Sequence, residues 1–413
     1  MAKRVVITGV GTVNALANNA RDFWPKLLAG ETGIDKIKSF DASAFKAQIA
    51  GEVKNFDLSN WGIDKKETRH LARFMQLGLA AALEAVRDSS FDIKAEPEEV
   101  GVIVGSGIGG LESIEEAAET IRAKGPSRLS PFLVPMMIAD SAAGIISIMT
   151  GAQGVNTSVV TACATGTHSV GDAFEWIKRG ALKAVIAGGA EACITPLGLG
   201  GFCAARALCF DHNDDPAAAC RPFDATRSGF VMGEGAGVVF LEEMEHALQR
   251  GAKIYAEVVG YGATGDAYHI TSPRPGGAGA ARAIKMALQE AGIEPAAVDY
   301  INAHGTSTEL NDKYESAAII SVFGTDTKAS ISSTKGAVGH CLGAAGGIEA
   351  VILAMAVETG AIPPTINYQN PDPECPLNYT PNKAAQRTVN YALSNSFGFG
   401  GHNAIIVFKK FQK

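Results

Sequence analysis

One cysteine of the seven in this 413-residue chain stands in a setting that suits reactivity. Cys163 follows the β-branched run Val159-Val160-Thr161 and is followed by Ala164, Thr165 and Gly166, so a strand is expected to end and a helix to begin at the thiol. At a helix N-terminus, unpaired N–H groups and the positive dipole end favour a thiolate. The small flanking residues leave room for a substrate. Cys193, Cys203, Cys209, Cys220, Cys341 and Cys375 have no such setting and read as inert packing, the default for a cysteine.

Two histidines lie in comparable turns. His304 belongs to Asn302-Ala303-His304-Gly305-Thr306-Ser307-Thr308, an imidazole at a strand end followed by glycine and three hydroxyls. That suits a group reaching a ligand, although a satisfied core histidine accounts for it as well. His340 closes Ser332-Ser333-Thr334-Lys335-Gly336-Ala337-Val338-Gly339-His340, ahead of a helix carrying Glu349. A buried lysine needs a partner, so Lys335 and Glu349 are expected to pair if the loop is buried; a solvated lysine is the alternative. Phe397 and Phe399 among the glycines of NSFGFGG can bring an aromatic wall and backbone N–H groups to a site, or simply form a turn before the last strand. GSGIGG at residues 105–110 fits the glycine pattern of a dinucleotide loop. The acid that pattern requires about 20 residues on is missing, since residues 120–139 hold no Asp or Glu. That argues against a nicotinamide site.

These residues must be carried by an α/β framework. Strands are expected at residues 4–8, 100–104, 184–187 and 237–241, and a helix at 77–86. After Cys163, the spacing of Val170, Ala173, Phe174 and Ile177 predicts one face of a helix. From about residue 252 the order repeats. KIYAEVVGYG echoes KRVVITGVG, a helix is expected at 281–291 and strands at 298–303 and 404–408, and Ile348, Val351, Ile352 and Met355 repeat the helical spacing. A tandem duplication, residues 1–251 and 252–413, is the simplest account; chance likeness between αβ units is the other.

Composition sets the class. Hydrophobic residues make up 46 % and charged residues 19 %, a globular balance, and a net charge of −7 argues against a nucleic-acid binder. The cysteines lack the spacing of a disulfide framework or a metal ribbon. Residues 141–171 carry no formal charge but are too interrupted by polar residues to span a bilayer, and MAKRVVITGVG has no signal character. A cytoplasmic protein without membrane or nucleic-acid partners is expected.

As a set, these segments resemble the β-ketoacyl-acyl-carrier-protein synthases of the thiolase-like fold, over nearly the whole chain. DAYHITSP (266–273) and GGFCAARAL (200–208) make it most like the type II members of the bacterial fatty-acid pathway. The resemblance implies a βαβαβαββ-type unit, duplicated and layered α-β-α-β-α. It implies that Cys163 takes an acyl group from acyl carrier protein and that His304 and His340 hydrogen-bond the thioester oxygen of a decarboxylating malonyl unit. The N–H groups of Cys163 and Phe399 would hold the tetrahedral oxyanion. Lys335, paired with Glu349, would support His340; Phe399 would gate the site; Thr306 and Thr308 would grip the pantetheine. Ile108, Val134 and Phe202 would line the acyl pocket, Ile108 reaching in from the partner of a homodimer. No metal or cofactor is implied beyond the phosphopantetheine carried by the substrate. Lys65, Lys66, Arg69, Arg73 and Arg206 are candidate docking residues for the acidic carrier protein. His402, Asp140 and Glu309 depart from the family pattern, which commonly has Thr, Asn and Pro there. None of them replaces a catalytic group. The rivals are a thiolase, with Cys341 as its base, a type I or polyketide ketosynthase, and a non-catalytic chain-length-factor partner, which would lack Cys163.

Overall fold

The computed structural model of the chain describes residues 2–412, apart from the side chain of Lys65. Ten strands join in one sheet: β1 (Val5–Val13), β2 (Val100–Gly105), β3 (Asn156–Thr157), β4 (Ala184–Glu191), β5 (Gly235–Glu243), β6 (Ala256–Gly265), β7 (Tyr300–Asn302), β8 (Ser330–Ser332), β9 (Tyr391–Gly398) and β10 (His402–Lys409). Their order is β8-β7-β9-β10-β6-β1-β5-β4-β2-β3. Counted outward from the central antiparallel β1–β6 pair, strand n of the first half is matched by strand n+5 of the second. The senses match too: β2 lies parallel to β4 as β7 does to β9, and β4 antiparallel to β5 as β9 is to β10.

Four helices repeat in the same way. Helix α1 (Arg73–Ser89) follows β1 and α3 (Ala278–Ala291) follows β6, while α2 (Thr165–Lys178) follows β3 and α4 (Ala345–Thr359) follows β8. The first strand of each half carries a Gly-x-Gly that seats its helix. A Cβ on Gly11 would lie 2.1 Å from the Ala81 carbonyl, and one on Gly262 would lie 2.1 Å from that of Ala283. That shared contact explains the echo between the two segments. It also corrects the expected end of the first strand at Gly9. The glycine makes close approach rather than a turn, and β1 runs on to Val13 with a register shift between Ile7 and Gly9.

Helix α1 packs on β1 and β5, and α3 on β6 and β10. Helices α2 and α4 lie between the halves, α4 against β4, β5 and β9, and α2 against β4 and β10. The layers therefore run helix, strands, helices, strands, helix. Strands β1 and β5 are buried throughout and read as near-continuous apolar runs because both their faces are covered. Among the described residues, one stretch, Leu342–Thr359, is long and apolar enough to cross a membrane, and it is 83 % buried inside this core.

Candidate active site

The nucleophile's setting starts at the sheet edge. Strand β3 covers only Asn156–Thr157, so the expected strand up to residue 161 is replaced by extended chain without ladder bonds. Ala162 then turns the backbone into the left-handed region at φ +51°, a conformation that costs a non-glycine residue on the order of 1 kcal/mol. Cys163 follows in a single helical turn (Ala162–Ala164) that leads into α2. The N-terminus of α2 meets that of α4 backbone to backbone: a Cβ on Gly166 would lie 2.4 Å from the Gly347 nitrogen. That contact brings the turn ahead of α4 up to the cysteine, where Leu342 packs in the Cys163 cluster.

The thiol is buried. Burial pushes it up to about 12, against the pull of the Lys335 charge and of hydrogen bonds from the backbone N–H groups of Phe399 and Cys163. The expected resting thiolate is therefore corrected. The helix end and the lysine act as predicted, but desolvation outweighs them and the free thiol keeps its proton.

His304 follows β7. Its own N–H and that of Gly305 donate to the two oxygens of Glu315 at 2.8 and 2.7 Å, and Asn395 Nδ2 donates to the same carboxylate at 3.0 Å. His340 is held through its N–H to the Val231 carbonyl at 2.7 Å. The two imidazoles meet edge to face with centroids 5.2 Å apart. The His340 ring lies 5.3 Å from Phe230, which is 5.3 Å from Phe202, itself 6.5 Å from Phe399. Phe230, Phe202 and Leu342 share one apolar cluster with Cys163. Burial, then the Lys335 charge, holds both imidazoles well below 6.5, so each is neutral at pH 7 and keeps one N–H to donate.

Lys335 Nζ donates to Glu349 Oε1 at 2.5 Å, with both side chains buried. Thr306 and Thr308 pair their hydroxyls at 3.0 Å beside His304. Phe399 is partly exposed, and Gly400 behind it donates its N–H to Ile270, tying the aromatic loop to residues 266–274. Among the described residues, no group of three or more His, Cys, Asp or Glu side chains is placed to hold a metal.

Other placements differ from expectation. Ile108, expected to reach in from a partner, packs against the Cys163 cluster of its own chain. Its loop is short and leads directly out of β2. Val134 lies outside that cluster, 56 % exposed on the helix Leu133–Met137. Arg73 is not a free docking cation. Its guanidinium donates twice to the buried Glu234, at 2.6 Å each, and once to the Val53 carbonyl. Lys66, Arg69 and Arg206 are exposed; the Lys65 side chain lies outside the described residues.

Two buried acids escaped the sequence reasoning. Glu315 sits on the core side of its helix with Asp312, Ser316 and Ile319, a spacing that a helical wheel makes visible. Glu191 is the lone acid at the end of an otherwise uncharged strand. It takes the N–H groups of the GSGIGG loop, so that loop's donors are spent on a protein carboxylate rather than a phosphate.

The N-terminal domain of the beta-ketoacyl synthase family matches residues 2–247, and its C-terminal domain matches residues 255–369. Over 412 residues the chain is 52 % identical to a Staphylococcus aureus (strain COL) protein named 3-oxoacyl-acyl-carrier-protein synthase 2, covering 99 % of both chains. It is 51 % identical to a Synechocystis protein of the same name, with the same coverage. A solved ketosynthase, bound to a hexaketide and in complex with its type II PKS acyl-carrier protein, superposes with a TM-score of 0.92 at 36 % identity over 100 % of both chains.

Proposed function

The chain belongs to the beta-ketoacyl synthase family, and on that premise we propose that it elongates acyl chains by two carbons through decarboxylative condensation with malonyl-acyl carrier protein. The observation that carries this reading is a continuous chain of contacts: Cys163 shares a buried cluster with Phe230, whose ring meets His340, which meets His304, while the N–H groups of Cys163 and Phe399 turn to the sulfur.

In the first step the Cys163 sulfur attacks the thioester carbonyl of acyl-carrier protein. A new C–S bond forms, the pantetheine thiol leaves, and the cysteine proton passes to it. The Lys335 charge and the N–H groups of Cys163 and Phe399 favour the charge that develops, and the acyl-enzyme divides one hard step into two. Malonyl-carrier protein then binds with its thioester oxygen facing His304 and His340. Loss of CO2 leaves an enolate whose oxygen accepts hydrogen bonds from both rings. Neutral imidazoles suit this role because they donate without surrendering a proton. The enolate carbon attacks the acyl carbonyl, the oxyanion rests on the Cys163 and Phe399 N–H groups, and collapse breaks the C–S bond, expelling a Cys163 thiolate that takes one proton from water to restore the thiol. Lys335, balanced by Glu349, sets the field and is not a proton carrier. Thr306 and Thr308 hold the pantetheine, with Phe202 and Ile108 along the acyl chain.

Acyl carrier protein is the partner, and the carrier-bound relative supports that. A second copy of the chain is the other: Phe132, Val134, Ile148 and Val160 stay exposed around the free edge of β3. A reducing, cytoplasmic setting fits seven free cysteines. The two halves, 1–251 and 252–413, would act as one unit because the site draws on both.

Intact-protein mass spectrometry after incubation with acyl-carrier protein tests the reading. Acyl addition to Cys163 is expected, and Cys163→Ala abolishes it. His304→Ala or His340→Ala keeps loading while condensation falls on the order of 10²–10³-fold. A histidine variant that stopped loading but still released CO2 from malonyl-carrier protein would reverse the role assignment.

A further inference from the structure

Glu191, at the end of β4, is fully buried and has no ion-pair partner among the described residues. Its two oxygens accept four hydrogen bonds from two separate segments. Oε1 takes Ser106 Oγ at 2.8 Å and the Ile108 N–H at 3.3 Å; Oε2 takes the Gly107 N–H at 2.9 Å and the Gly343 N–H at 3.0 Å. Two bonds accepted at each oxygen is the pattern of a carboxylate. The segments it joins flank the nucleophile. Ile108 packs in the Cys163 cluster, and Gly343 follows Leu342 of the same cluster, three residues beyond His340. Only glycines allow the approach, since a Cβ on Gly343 would lie 2.3 Å from the Gly107 nitrogen and 2.8 Å from Oε2.

We propose that Glu191 is a positioning residue that sets acyl-chain preference by clamping the Ile108 wall of the pocket to the Gly343 turn. This rests on the condensing-enzyme reading above, in which the acyl chain on Cys163 runs along Ile108. A carboxylate also places negative charge near the thiol, and that charge contributes to pushing the Cys163 thiol up.

Glu191→Gln tests the clamp with little change of shape. With its amide oxygen at the Oε2 position, glutamine keeps the Gly107 and Gly343 bonds. Its NH2 group then faces the Ser106 hydroxyl, which can turn to accept, and the Ile108 N–H, which cannot. The loss therefore falls on Ile108, and the wall yields to longer chains. Rates of Cys163 acylation by octanoyl- and palmitoyl-carrier protein are measured by intact mass. The palmitoyl-to-octanoyl ratio is expected to rise about fivefold, the worth of one ordinary hydrogen bond. Iodoacetamide alkylation of Cys163 supplies a readout of the Glu191 charge: its pH profile shifts to lower pH in Glu191→Gln by more than in Ser106→Ala, which loosens the same clamp and keeps the charge. Should that variant not fold, Ser106→Ala removes one donor and is expected to raise the ratio about twofold. An unchanged ratio in the folded variant, or an unmoved alkylation profile, overturns the proposal. Should Glu191→Gln fail to fold, an unchanged ratio in Ser106→Ala does the same. A wild-type protein that takes no acyl group at all would instead end the functional reading.

Discussion

Gly166→Ala adds one methyl group where α2 and α4 touch. The new Cβ would lie 2.4 Å from the Gly347 nitrogen, 3.0 Å from the Gly346 carbonyl carbon and 3.1 Å from the Gly343 oxygen. All three are backbone atoms and cannot rotate away. Ordinary contact begins at 3.4 Å, so the helix starts must part by about 1 Å, and overpacking of this kind costs about 1–3 kcal/mol. With an unfolding entropy near 2.1 cal/mol/K per residue, a loss of about 2 kcal/mol lowers the melting temperature by only about 2 °C. The catalytic effect is larger. Cys163 precedes α2 and His340 precedes α4, so the displacement opens the nucleophile-to-histidine distance directly, and a 1 Å misplacement costs on the order of 10²-fold in rate. Differential scanning calorimetry and a malonyl-dependent CO2 assay, run with acyl loading on the same preparation, separate the two effects. Loading should persist while condensation falls about a hundredfold in a folded enzyme. A folded variant condensing within about twofold of wild type would refute the idea that this contact sets the catalytic distance.

Lys335→Met removes the charge that draws the Cys163 thiol down. Iodoacetamide alkylation at fixed pH should slow about tenfold for each unit the thiol rises, and unchanged kinetics would remove the lysine from the field around the sulfur. Arg73→Ala leaves Glu234 without its partner; discounting for the partly exposed guanidinium, about 2 kcal/mol of stability should be lost. The KM for carrier protein should stay put, whereas a raised KM with an intact melting temperature would restore Arg73 as a docking residue. The third concerns pH. Both imidazoles sit below 6.5 in the folded chain, so the unfolded chain binds the extra protons and stability from these groups is lost as pH falls below about 6.5. Melting curves of His304→Gln and His340→Gln should show a shallower acid decline than wild type, and equal slopes would contradict it.

Local chemistry was legible where the partners are close in sequence or where type and spacing leave few options. Cys163 at a helix start, Lys335 paired with Glu349, and the repeated helical spacing after residues 163 and 343 could all be read from the chain. What could not be read depended on depth or on distant partners. Whether Cys163 rests as a thiolate turns on burial, which a linear pattern does not report. Arg73 looks like any surface cation until Glu234, 161 positions away, is found beneath it. Glu315 and Glu191 look like ordinary acids because what marks them is the backbone N–H groups they receive, and those belong to other segments.

The duplication gives these hidden acids a common logic. Ala162 and Leu342 occupy equivalent places in the two halves, each opening a single helical turn ahead of α2 or α4, and each takes a left-handed φ, +51° and +44°. The same strained turn is thus built twice, and the residue after it is Cys163 in one half and Gly343 in the other. In the first copy the turn presents a sulfur and its own N–H to the pocket. In the second the equivalent N–H goes to Glu191, and the missing side chain lets the Gly107 backbone close in. Two left-handed alanine- or leucine-type residues at one interface cost stability on any count, and they persist because the α2–α4 contact fixes both turns at once. A single nucleophile in a duplicated fold follows from this packing. The room that a second side chain would occupy at residue 343 is the room the clamp needs to hold the first copy's pocket wall in place.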